Sequence, residues 1–363
     1  MRLYGMELYK LLHRKMILTG LLIITGLMVL YFWFVEVGGE KAVVDGCVYT
    51  GLEGVQINRK ITEEFEGTIT NEKINEMIER YGLPFKLEKD MPGWQDSNYL
   101  NDFVTRFFTN GSWETDTVPT KRYNLDETEL KKVYDSAGMK AELAYTTGWK
   151  VLVHMLQLGF VLVSVFVIYG ISVIFAEEGQ LKMLPLIFTT EEGRRRDVHA
   201  KILAAFTVTI LSFIGIFLLS FFLCGMVYGF HGFHNIAGMV LSRGMLYSVY
   251  RIPFAQYLSL VSVFGLQSLL SLCAMTVCVS TYLNNSFGAV VIAAVCWGFP
   301  VLLRIFFGGV LWLFVDSMPA FLIMPELLID VHEIWYLPLG INICMSVICL
   351  QKGTRYYKTK QMA

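Results

Sequence analysis

Residues 175–201 read FAEEGQLKMLPLIFTTEEGRRRDVHAK. The stretch holds five acidic residues and five Lys or Arg, whereas its flanks, 151–174 and 202–230, hold no Asp, Glu, Lys or Arg. A compact charged element between two long apolar runs points to a membrane protein. It also raises the question of what that element touches.

Working outward, a helix crosses the ~30 Å hydrocarbon core with about 20 apolar residues. Residues 16–35 carry no charge, and the run 252–303 is 52 residues long without one, broken only by Asn284-Asn285-Ser286. That length fits two spans joined by a polar turn. With 151–176, 202–230 and 334–351, six spans are expected, all helical because lipid offers the backbone no partners. Composition agrees: 17% of residues are charged, against about a quarter in soluble domains. A net charge of −1, without basic clusters interleaved with aromatics, argues against a nucleic-acid partner.

Arg2, Lys10, Arg14 and Lys15 precede the first run as they would in a signal peptide. No small-x-small cleavage site follows, so an uncleaved helix is expected. Residues 1–15 carry four Lys or Arg, 177–201 five, and 351–363 four. With six spans these lie on one side, the cytoplasm by the positive-inside rule. Trp33, Trp149, Tyr228 and Trp335 then fall near the outer helix ends, as interface anchors do. A multi-pass protein of the plasma membrane with both termini cytoplasmic is expected.

Residues 40–148 differ in kind, with 20 acidic and 13 basic residues. TNEKINEMIERYG (70–82) offers Thr70 as cap, Ile74, Met77, Ile78 and Tyr81 on one face, and Gly82 as stop. SNYLNDFVTRFFTNG (97–111) offers Ser97 as cap and the stripe Leu100, Phe103, Val104 and Phe107. DETELKKVYDSAG (126–138) opens with Asp126 and Glu129 as a capping box. These stripes predict a small, mainly helical domain. Of the seven cysteines only Cys47 falls here, which excludes an internal disulfide; the other six sit in apolar runs as small hydrophobes.

The fold class expected is therefore an all-α membrane protein. A cytoplasmic amphipathic start (1–15) leads to spans 16–36, 149–176, 202–230, 252–283, 286–305 and 334–351. A large extracellular domain (37–148) follows the first span and a cytoplasmic element (177–201) the second. An outer loop (231–251), an outer segment (306–333) and a cytoplasmic tail (352–363) complete it. Within 306–333, Gly308-Gly309, Pro319 and Pro325 break an apolar run marked by Asp316, Glu326 and Asp330. Irregular backbone near membrane depth survives only when packed in protein or lining a cavity, so a re-entrant hairpin is expected.

Motif chemistry is sparse. The chain lacks G-x-x-x-x-G-K-[ST], G-x-S-x-G, H-E-x-x-H and C-x-x-C, so no catalytic residue and no metal site is assigned. Glu191–Arg196 (EEGRRR) does match E-E-x-x-x-R, and 230–235 match F-x-x-x-H and H-x-x-x-N, patterns of an intramembrane protease family. Its motifs should come from separate helices around one cavity, whereas here two overlap within six residues.

Within 175–201, Leu181, Leu184, Leu186 and Ile187 are apolar, Pro185 breaks regular helix and Gly193 permits a tight turn. Topology needs only Lys and Arg, so the five acids indicate a docking surface of mixed charge, which sets register and partner choice. Phe175, Glu177, Glu178, Leu186, Ile187, Thr189, Thr190, Gly193, Arg194, Arg195 and Lys201, in this order, resemble the coupling helix of the membrane subunit of bacterial ABC exporters of the second permease type. The resemblance extends along the whole chain: the ELYKLLHRK start (7–15), the outer insertion, six spans and residues 269–295 around the turn between spans four and five. Two departures stand out: Gly179, where the family is often aromatic, and the acidic pair Glu191-Glu192.

The resemblance implies an ATPase-coupling element of Glu177, Glu178, Lys182, Thr189, Thr190, Gly193, Arg194, Arg195 and Lys201, and a re-entrant segment with Asp316, Pro319, Pro325 and Glu326. It implies partners: a cytoplasmic ATPase subunit that holds ATP and Mg, a second permease chain in a homo- or heterodimer, and membrane lipid. The chain itself would hold no cofactor. Spans without mid-helix charge suit a hydrophobic or amphipathic substrate: a lipid, drug or peptide. Glu178→Lys or Arg194→Glu is expected to weaken ATPase assembly without unfolding the spans. The alternatives are a membrane sensor whose extracellular domain binds a ligand, and the intramembrane protease.

Overall fold

The computed structural model describes residues 2–86, 93–94, 97–111, 117–189, 196–243, 248–307, 311–324 and 336–359. It is mostly helical. In chain order come α1 (Arg2–Leu12), α2 (Lys15–Tyr31, prolonged by a π-helical stretch Phe32–Val37), β1 (Lys41–Val44), β2 (Cys47–Thr50), α3 (Leu52–Glu63), β3 (Gly67–Thr68) and α4 (Asn71–Tyr81). Then follow β4 (Phe85–Lys86), β5 (Gly93–Trp94), α5 (Tyr99–Phe108), α6 (Glu129–Ser136), β6 (Glu142–Leu143), α7 (Thr147–Ile171), α8 (Val173–Gln180) and α9 (Leu184–Thr189). The chain continues with α10 (Arg196–Val227), α11 (Ala237–Val240), α12 (Phe254–Tyr282), α13 (Ser286–Phe307), α14 (Trp312–Asp316), α15 (Pro319–Leu322) and α16 (Tyr336–Thr359).

Among the described residues, five helices are long and apolar enough to cross a membrane: Lys15–Val37, Thr147–Gln180, Arg196–Val227, Phe254–Tyr282 and Ser286–Phe307. The sixth expected span corresponds to α16, which is not among them. Its apolar part gives way to Gln351 and Lys352, and the helix runs on without a break through the expected tail to Thr359.

The chain divides into two compact units. One, the helical unit, comprises 1–28, 156–219 and 260–363; the other, the insertion unit, comprises 29–155 and 220–259. The insertion unit has a conventional core, with Phe65, Met77, Leu100, Phe103, Phe108 and Tyr134 buried together. Burying each such side chain contributes about 1.5–3 kcal/mol. Besides its helices it carries antiparallel two-stranded ladders, β1–β2, β3–β6 and β4–β5. The first closes on Asp45-Gly46, both left-handed (φ 52° and 75°), the tight turn that suits a two-residue hairpin.

Helix α4 starts and stops where the sequence predicts, with Thr70 Oγ1 accepting from the Lys73 amide and Gly82 left-handed at its end. Two caps differ. Asn98, not Ser97, caps α5, accepting from the amides of Leu100 and Asn101 while Asn101 Oδ1 accepts from the Asn98 amide. Thr128, not Asp126, caps α6; Asp126 lies in a separate 3-10 turn whose Glu127 carboxylate accepts from the Asn124 amide. In both cases the nearer polar side chain reaches the free amides with extended backbone, which is what a cap requires. The segment 231–251, expected as an outer loop, belongs to this unit: Tyr134 Oη donates to Asn235 Oδ1 (2.8 Å) and the Ile236 amide donates to Tyr134 Oη (3.1 Å).

In the helical unit, small residues let helices approach. A Cβ at Gly265 of α12 would collide with the Phe160 ring of α7, and one at Gly170 of α7 would lie 2.6 Å from Ile17 of α2. Close glycine contacts of this kind replace the hydrophobic drive that lipid does not supply. By contrast α13 is largely exposed, with Phe287, Val295, Ile305 and Phe306 facing outward.

Candidate functional site

The charged element is built on α8 and α9. Helix α8 follows a one-residue break after α7, and two amides freed there, those of Phe175 and Ala176, donate to Ser280 Oγ of α12 (3.0 and 3.1 Å). Gly179 packs on the turn between α12 and α13: a Cβ there would lie 2.8 Å from Asn284 Oδ1 and 3.0 Å from its Cα. This closeness explains the glycine at a position where an aromatic ring has no room. The Ser286 amide donates to Gln180 Oε1 across the same contact (3.3 Å).

Below this anchor the acids turn inward. Lys201 Nζ of α10, 1% exposed, donates to Glu178 Oε1 at 2.6 Å and to Asp197 Oδ2. Tyr357 Oη of α16 donates to Glu178 Oε2 (3.2 Å). Lys10 Nζ of α1 stands 3.8 Å from Glu178 Oε1 and 3.9 Å from Glu7 Oε2. Burial holds the Glu7 carboxyl above its ordinary pKa, opposed by Lys10 and Lys201. One helix turn on, Arg14 donates to Glu177. The Tyr357 ring lies between Phe175 and Phe188, with centroids at 4.9 and 5.2 Å, so α9 is fastened by the same residue.

This arrangement bears on what a substitution in the element would do. Glu177, Glu178 and Lys201 bind their own chain, and Glu178→Lys would place a cation against a buried Lys201. Breaking a buried pair costs about 3–5 kcal/mol, so that substitution threatens the fold itself. What the element presents outward is different: Leu181, Met183 and Leu186 are 61%, 45% and 67% exposed. Lys182 lies among them in a left-handed turn (φ 56°). Thr189 Oγ1 donates to its own helix, to Leu186 O (2.7 Å). Thr190, Gly193, Arg194 and Arg195 lie outside the described residues.

The described part of the second expected segment contains a pair of short helices, α14 and α15, broken at Ser317-Met318. Side chains of long helices satisfy one carbonyl at the break and one just beyond it. Asn342 Nδ2 of α16 donates to Ser317 O (2.8 Å), and Ser268 Oγ of α12 donates to Pro319 O (2.7 Å). Asn342, fully buried, also donates to Ser271 Oγ (3.0 Å) and accepts from Gln267 Nε2 (2.9 Å). Asp316, 2% exposed, accepts from Arg304 Nη1 of α13 at 2.5 Å. Pro319 is the first residue of α15, where its missing N–H costs nothing. Pro325 and Glu326 lie outside the described residues.

Sequence reasoning missed Arg14, Asp197 and Tyr357 in the first cluster and Gln267, Ser268, Ser271 and Asn342 in the second. The only signal for the last four was polarity inside apolar runs. The Asn235 of the protease-like pattern has another role: it accepts from Tyr134 and donates to Glu142 O (2.8 Å).

No family model, no curated protein and no solved structure matches this chain.

Proposed function

We propose that this chain is the membrane-spanning permease subunit of an ATP-driven exporter of the second ABC permease type, moving a hydrophobic or amphipathic substrate outward. The observation that carries the reading is the α8–α9 element. A buried cluster of charge ties it to α1, α10 and α16, while it projects an apolar ledge of Leu181, Met183 and Leu186 beside Lys182. An element that must pass a push from a partner to several spans has to be fixed to them and exposed on its other side; this one is both.

In this reading α16 is the sixth span, both termini and α8–α9 face the cytoplasm, and the polar insertion between the first two spans faces outward. The broken pair α14–α15 is the re-entrant hairpin, supported by side chains that satisfy its carbonyls, as backbone near membrane depth requires. A separate cytoplasmic ATPase binds ATP and Mg, seats the ledge and switches a pathway formed by two permease chains. A partner shifts such an equilibrium only by touching the two states differently, so the ledge contact must change between them.

The test is a mild-detergent pull-down of the tagged chain from its native membrane. A stoichiometric protein with a phosphate-binding loop is expected, and it should be lost from a Leu181→Asp/Leu186→Asp variant whose thermal unfolding midpoint is unchanged. Absence of any such protein from the folded wild-type chain would overturn the proposal.

A further inference from the structure

Helices α12 and α16 meet closely where their apolar runs end. A Cβ at Gly353 of α16 would stand 3.1 Å from Cys278 Cα of α12 and 3.3 Å from Thr281 Oγ1. Further along both helices the Tyr282 and Tyr356 rings stack, with centroids 4.1 Å apart and planes at 22°. The glycine and the stacked rings set the register of the two helices. That register brings Cys349, one turn before Gly353, against Cys278. The two thiols are hydrogen-bonded to each other, and the Gly353 amide also donates to the Cys278 sulfur. Both cysteines are free and half-buried. Gln351 and Lys352 follow within one turn of Cys349, and Asn284-Asn285 within two turns of Cys278, so the pair sits at a polar margin that small oxidants and reductants reach. A disulfide forms only between cysteines whose backbones already lie close, which the glycine contact secures here.

We propose that Cys278 and Cys349 are a redox modification site, which hydrogen peroxide converts to a disulfide that fastens α16 to α12. One thiol gives up its proton and the thiolate attacks the peroxide. The O–O bond breaks, leaving a sulfenic acid and a hydroxide that takes up the released proton as water. The second thiol attacks the sulfenic sulfur; the S–S bond forms, the S–O bond breaks, and a second water leaves with that thiol's proton. Two electrons pass from the sulfurs to the peroxide, and a dithiol reductant returns them by exchange through a mixed disulfide. Tyr357 lies two turns beyond Cys349, with its ring between Phe175 and Phe188. The cross-link therefore limits how far that ring can withdraw from α8–α9. The proposal rests on contacts inside the helical unit and is independent of the transport reading.

The test treats the purified full-length chain in detergent with hydrogen peroxide, raised until the exposed Cys47 is oxidised. Remaining thiols are capped with N-ethylmaleimide and peptides are mapped by mass spectrometry without reduction. A Cys278–Cys349 linked peptide is expected in most of the chain, absent before treatment and erased by dithiothreitol. Cys278→Ser and Cys349→Ser should each abolish it while keeping the wild-type unfolding midpoint before treatment. Should either variant fail to fold, the wild-type map decides alone. Recovery of both thiols capped with N-ethylmaleimide overturns the proposal. So does a link from Cys349 to Cys296 of α13 in place of Cys278, or an oxidation of the pair that dithiothreitol does not reverse.

Discussion

Two buried polar clusters of the helical unit are held by opposite means. Around Lys201 the unit uses full charges: an ammonium between two carboxylates, with a phenol on the far side of one of them. Around Asn342 it uses only neutral amides, hydroxyls and carbonyls. The difference lies in how each fails. A charged cluster penalises the loss of one member steeply, because the remaining charge is left buried. A neutral network degrades by about one hydrogen bond at a time. Charge therefore holds the element that has to stay fixed, and neutral groups hold a break in the backbone that only has to be satisfied.

The largest expected effect breaks the first cluster. Glu178→Ala should cost about 3–5 kcal/mol of stability, read as a lowered unfolding midpoint in detergent, by removing one of the two carboxylates that hold the buried Lys201. The sharper form adds Asp197→Asn and Lys201→Met, which removes the remaining buried charges and should recover at least half of the loss. A triple variant no more stable than the single would show that the buried charges are not the source.

A buried acid without an ammonium at hydrogen-bond distance supplies the intermediate case. Burial pushes the Glu40 carboxyl in the insertion unit up from 4.5 to about 7, with Lys150 opposing. The folded chain thus holds a proton that the unfolded chain releases, and its stability should fall as pH rises from about 4.5 to 7. The drop, about 2 kcal/mol after allowing for partial exposure, should be seen as a lower unfolding midpoint at pH 8 than at pH 5. Glu40→Gln should flatten it.

Asn342→Leu attacks the neutral network and should cost about 1 kcal/mol, since membrane hydrogen bonds average less than that each and more than one is lost. A loss as large as that of Glu178→Ala would erase the contrast between the two clusters. The smallest effect belongs to surface charge. Arg80 donates to Glu64 at 2.6 Å with both side chains well exposed, and Arg80→Ala should leave the unfolding midpoint within the scatter of repeat measurements.

Local signals were the most legible part of the sequence. The apolar runs located five helices of spanning length, and Thr70 with Gly82 bounded α4. The Asp45-Gly46 hairpin carried a readable turn signal between two short strands. Caps slipped by one or two residues because several polar side chains competed at each helix start, and only backbone geometry decides among them. Partnership was not legible. Glu178 and Lys201 are 23 residues apart, Glu178 and Tyr357 are 179 apart, and nothing local marks either pair. The same five acids and five bases read equally well as an outward docking surface, although the acids at 177 and 178 are satisfied within the chain.

Tyr357 has a consequence for biosynthesis. Synthesis runs from the N-terminus, so Glu178, Asp197 and Lys201 are all in place well before Tyr357 is made. Until the final turns of α16 emerge, the ring that separates Phe175 from Phe188 is missing and the cluster has an open side. The closing piece of the lock is therefore translated after every residue it fastens. A ribosome that stops at Gly353 would release a chain with every apolar run complete and its α8–α9 element unsecured.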